Sequence, residues 1–158
     1  MSWRYSDFIH INQDFIDVFS EEQDSQNADA WMSFIPHDQM HDVLRALLDT
    51  LERKSPQSLW MHGQYGTGKT MCLFVLKHLL EDPWPTVERY LQVHDFGADL
   101  RQRIRGIRER GRGLVVYLSG ASHVDNNLKL MATLERTIRR GLERHGYQTS
   151  AGPLYDSV

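Results

Sequence analysis

The chain has 158 residues, 41% hydrophobic and 25% charged, with a net charge of −3; this suits one soluble globular domain with a real core. A lone cysteine, Cys72, excludes an internal disulfide and a multi-cysteine zinc site and fits a reducing cytoplasm, while no apolar run approaches the ~20 residues of a membrane span and the opening MSWRYSDFIHINQDF lacks a signal pattern. The charge is uneven: residues 1–60 carry 11 acidic and 4 basic side chains, residues 61–158 carry 10 and 14, so phosphate ligands should prefer the second part.

In chain order, residues 1–19 alternate loosely between apolar and polar and read as a short strand or extended arm, then a turn of helix. Ser20–Ala30, SEEQDSQNADA, is acidic, has no core former and reads as a surface loop or linker. Trp31, Phe34 and Ile35 form an apolar knot closed by Pro36. A helix starts at Pro36, whose missing N–H costs nothing in a first turn. Met40, Val43, Leu44, Leu47, Leu48 and Leu51 then form a full amphipathic stripe, and the helix should stop around Lys54, before Ser55-Pro56. His37 and His41, with Asp38 between, echo the zincin pattern, but no third ligand is evident and a polar helix start is the plainer reading.

Leu59, Trp60 and Met61 are long enough for a short buried parallel strand. Directly after it, Gly63, Gln64, Tyr65, Gly66, Thr67, Gly68, Lys69 and Thr70 complete the pattern G-x-x-x-x-G-K-T. Glycines let the backbone turn tightly and aim its N–H groups inward at a phosphate. The helix that opens at the end of the loop adds its unpaired first-turn amides and its dipole. Lys69 would reach the β- and γ-phosphates of ATP, and the Thr70 hydroxyl would ligand Mg²⁺. Met71 continues into an apolar helix, Met71–Leu80.

Glu81-Asp-Pro-Trp-Pro85 is a stop signal, Thr86–Val93 a further short helix, and Ala98–Arg110 another, built on Leu100, Ile104 and Ile107. Its outer face carries Arg101, Arg103, Arg105 and Arg108, which could neutralise nucleic-acid phosphates or simply keep a helix face solvated. Leu114–Ser119, LVVYLS, reads as a second strand. A last helix, roughly Asn126–His145, is capped by Asp125 or Ser122 and buries Leu130, Met131, Leu134, Ile138 and Leu142.

The P-loop and the Ile-Pro-led helix before it resemble the AAA+ ATPases that load or initiate DNA replication, and their STAND relatives. The resemblance spans roughly Phe34–Gly146. It implies a three-layer αβα P-loop NTPase core of the α/β class, incomplete, with β-α-β-α present and the acidic strand absent. Residues 1–35 would be an arm and acidic linker, and residues 36–158 a partial P-loop ATPase domain. Phe34, Ile35 and Pro36 would flank an adenine base, or serve as plain core. Guanine-specific relatives use an Asn-Lys-x-Asp loop, which is lacking here.

The resemblance further implies the N-terminal half of a larger ATP·Mg²⁺-dependent ATPase, in a homo-oligomer or larger complex, working on or near DNA, with a general feel of bacterial DNA-processing or phage-defence ATPases. No apolar strand ends in the Asp that would hold Mg²⁺ and serve hydrolysis. Two alternatives therefore stay open: a non-hydrolysing nucleotide-dependent switch, and a small P-loop kinase with an arginine-rich lid.

Overall fold

A computed structural model describes residues 20–53, 58–118, 124–148, 150 and 152–155. These form six α-helices: α1 (Glu21–Gln26), α2 (Asp38–Leu51), α3 (Lys69–Glu81), α4 (Trp84–Val93), α5 (Gly97–Glu109) and α6 (Asn127–Arg144), with a 3₁₀ turn at Ala30–Ser33. No helix among the described residues is long and apolar enough to cross a membrane.

The core forms where the stripes of α2 to α5 meet. Met40, Leu44 and Leu48 of α2 close against Cys72, Val75, Leu76 and Leu79 of α3, Val87, Tyr90 and Leu91 of α4, and Leu100 and Ile104 of α5. Pro83 and Pro85 bracket the first turn of α4, where proline does not break the backbone ladder. Arg103 of α5 clamps α2 from outside, reaching Asp49 at 2.5 Å and Glu52 at 3.0 Å.

The acidic segment after residue 20 is not a loop. Ser20 caps α1 by accepting from the Gln23 amide, and Asp24 is buried at the heart of the fold. Its carboxylate takes Lys77 Nζ at 2.5 Å and His78 Nε2 at 2.6 Å. On its other side, His78 Nδ1 lies 2.9 Å from Asp82. Trp31, fully buried, stacks flat on the His78 ring, with centroids 4.9 Å apart. Residues 20–35 thus share one core with the helices after residue 36.

The expected α/β class is overturned: among the described residues there is no strand. Residues 58–61 have no ladder partner, and Leu59 and Trp60 are exposed, Trp60 to 91%. Residues 114–118 are no strand either. The Val115 amide donates instead to the Glu81 carboxylate at 2.6 Å, and Tyr117 rests on Phe74 of α3. A strand exists only as half of a ladder, so an apolar run that meets helices has nothing to pair with. The three-layer αβα arrangement and the β-α-β-α order fall with it.

Smaller corrections follow the same logic. His37, rather than Pro36, starts α2, its Nδ1 accepting from the Met40 amide at 3.3 Å. Asn126 caps α6 by accepting from the Lys129 amide; Ser122, like 1–19, 54–57 and 119–123, lies outside the described residues. On α6, Leu130, Met131 and Ile138 are exposed rather than buried, and Leu134 and Leu142 are half-buried.

The far end of α3 is closed by arginines. Arg108 donates to the Leu79 and Asp82 carbonyls, and Arg112 to that of Glu81. These carbonyls have no partner inside their own helix, and cations suit that end of the dipole. Gly113 lies so close that an added Cβ would stand 3.0 Å from Leu80 Cβ.

The Asp24 cluster has a defined pH signature. Burial pulls the His78 imidazole down, but its bonds to Asp24 and Asp82 outweigh this and hold it above its ordinary 6.5. Burial pushes Asp24 up, yet its bonds to His78 and Lys77 prevail and hold it below 3.8. The His78 contribution is therefore complete below its unfolded value of 6.5 and is lost as pH rises through the raised folded value. The Asp24 contribution is complete above 3.8 and is lost as pH falls through the lowered one. Urea midpoints measured against pH are expected to decline on the alkaline side, and His78→Gln should flatten that decline. Asp24→Asn, which leaves the Lys77 ammonium without its anion and His78 with Asp82 alone, should cost about 3 kcal/mol in urea unfolding near neutral pH.

Candidate functional site

The loop 63–68 is shaped by two glycines in the left-handed region, Gly66 (φ 81°) and Gly68 (φ 76°). A side chain would be strained at either position. Gly68 is also the residue from which α3 springs, and no side chain caps that end. The first amides of α3 thus face outward without a partner in the helix, next to the positive end of its dipole.

Lys69 completes the loop. Its Nζ donates to the carbonyl oxygens of Gly63 at 3.0 Å and Gln64 at 2.6 Å, and to Thr67 Oγ1 at 3.2 Å. The Thr67 hydroxyl in turn donates to the Gln64 carbonyl at 2.9 Å. The ammonium therefore ties the loop's first residues to the first turn of α3 and holds a positive charge inside the bend. The three acceptors carry only partial charges, so the cation itself has no anion partner among them.

Beside the loop lies a cleft of about 230 Å³. Gly63, Thr67, Gly68 and Lys69 form one wall; His37, Gln39, Met40 and Val43 of the α2 start form the other, with Met61, His62 and Cys72 between them. Burial pushes the Cys72 thiol up to about 11, so it is protonated near neutral pH and acts as an apolar floor. No carboxylate is among these lining residues.

The remaining expected site residues fall outside this wall. Gln64, Tyr65 and Thr70 are exposed, and Met71 is half-buried behind the first turn. Ile35 is 77% exposed and Pro36 half-buried, and neither lines the cleft. Phe34 supports the loop from behind: a Cβ on Gly68 would sit 3.5 Å from its ring. Tyr90 fixes that position by donating its hydroxyl to the Phe34 carbonyl at 2.9 Å. The wall contributed by His37, Gln39, Met40 and Val43 was readable only as a helix start, because nothing in sequence brings α2 to the loop.

His37 and His41 have separate structural tasks. His37 caps its own helix, His41 packs on the Phe96 ring, and the described residues contain no group of three potential ligands. The arginine face is likewise divided. Arg103 and Arg108 are engaged inside the fold, Arg101 reaches the Gly97 carbonyl of its own helix, and Arg105 pairs with Glu109.

The chain matches no protein-family model, and neither a curated protein nor a solved structure matches it. Its chemistry is therefore argued from the loop itself. Lys69→Met is expected to leave the helices intact by circular dichroism while amide exchange across 63–68 accelerates about tenfold or more, the ammonium tie being worth on the order of 1.5–3 kcal/mol.

Proposed function

We infer that the loop 63–70 binds the polyphosphate of a nucleoside triphosphate, with ATP·Mg²⁺ the expected ligand. The observation that carries this reading is the Lys69 ammonium, held inside a glycine bend by acceptors that, among the described residues, are all neutral. A polyphosphate supplies the full negative charge that those acceptors lack, and charge-assisted bonds are roughly twice as strong as neutral ones. The uncapped start of α3 adds donors on the same side.

Thr70, in the first turn of α3, is the one side chain expected to ligand Mg²⁺, the phosphates and water supplying the rest. The ion would offset phosphate charge. The base would lie toward the α2 wall, against Val43, rather than on Ile35 and Pro36. Such a role fits a cytoplasmic setting; of the AAA+/STAND resemblance this reading keeps only the glycine loop and the helix before it, because the α/β core it implied is absent among the described residues.

Binding is favoured over turnover, because the described residues that line the cleft include no carboxylate to orient an attacking water. Hydrolysis in a larger assembly would need that acid from elsewhere. In a calorimetric titration, ATP·Mg²⁺ should bind the wild-type chain, and Lys69→Ala should weaken it about 100-fold, the order expected for losing a charge-assisted phosphate contact. Equal affinity in both would remove the reading. Phosphate release, followed separately, is expected to stay at background for the chain alone.

A further inference from the structure

The sequence offered an arginine stripe without aromatic neighbours, yet the fold supplies one. Trp84, from the first turn of α4, faces Arg101 and Arg105 of α5 across a groove of about 270 Å³. Leu91, buried, forms its floor, and Gln92 and Gln102 line it with carboxamides. The Arg105 guanidinium lies over the Trp84 ring, 5.9 Å from its centroid, so the indole face beside the groove is covered by that one cation. Arg105 is itself 60% exposed and held by an exposed pair to Glu109 at 3.3 Å, a contact worth little in water. It can swing aside without disturbing the core.

We propose that this groove binds single-stranded nucleic acid, one base stacking on Trp84 while Arg101 and Arg105 hold the adjoining phosphates. The three groups match the three parts of a nucleotide. An indole face takes any base. Guanidinium groups take phosphate oxygens in a planar fork. Glu88, the one acid lining the groove, would repel a phosphate but accept a hydrogen bond from the exocyclic amine of cytosine. A duplex hides its base faces within the stack, so the ring platform discriminates against it. Arg103 and Arg108, engaged inside the fold, take no part, which distinguishes this site from a stripe read along the helix. It is also independent of the loop at Lys69.

The test is fluorescence anisotropy with a short labelled strand of mixed sequence, alone and annealed to its complement. The strand should bind more tightly than the duplex by roughly tenfold, within the range of one aromatic–base stack. Arg101→Ala with Arg105→Ala should weaken binding and reduce the slope of log affinity against log salt by about 1.4, as for two phosphates on a single strand. Trp84→Ala should cost roughly tenfold, Trp84→Tyr should restore most of it, and oligo(dC) should outbind oligo(dT) until Glu88 is changed to Ala, which removes the acceptor. Lys69→Ala should bind the strand like wild type, which separates this proposal from the triphosphate site. Where Trp84→Ala fails to fold, the double arginine variant decides. Equal affinity for strand and duplex, no saturable binding, or unchanged affinity in the double arginine variant would overturn the proposal.

Discussion

The buried carboxylate of Asp24 fastens this fold. Asp24 sits between the Lys77 ammonium and the His78 imidazole of α3, and the flat face of Trp31 seals the group from water. Taking charges out of water is expensive, and only close opposite partners offset it. The contact joins a short helix near the start of the described chain to the middle of α3, 53 residues later. α3 is the helix from which the glycine loop springs, so its seating sets the position of the loop.

The two ends of α3 are treated in opposite ways. At its C-terminal end, Arg108, Arg112 and the Gly113 amide take the orphan carbonyls. At its N-terminal end no side chain caps the helix, and Lys69 turns back to the loop carbonyls instead. A helix satisfied at one end and left open at the other favours negative charge at the open end, which is why the proposed triphosphate is placed at the glycine loop. Beside that open end lies the cleft to the start of α2, with Val43 on one side and the glycine loop on the other.

The loop was legible because its requirements are local. Gly66 and Gly68 occupy left-handed backbone, and the lysine's reach to Gly63 and Gln64 spans only six and five residues. The cleft was not legible, because its second wall, His37 to Val43, comes from a different helix. Ile35 looked like a ligand wall in sequence for the same reason that it is exposed in the fold: its neighbours Phe34 and Trp31 are the residues that turn inward.

Sequence alone determined the helices α2 to α6 and the glycine bend, since periodicity and φ preferences act within a few residues. Tertiary structure decided the rest. It drew Asp24 out of an apparent acidic linker and into the core, since only distant Lys77 and His78 could compensate its charge. It divided the arginines between carbonyl caps, ion pairs and a groove with Trp84. It left the apolar runs at 58–61 and 114–118 without ladders, because pairing belongs to two segments at once and neither run can specify its partner.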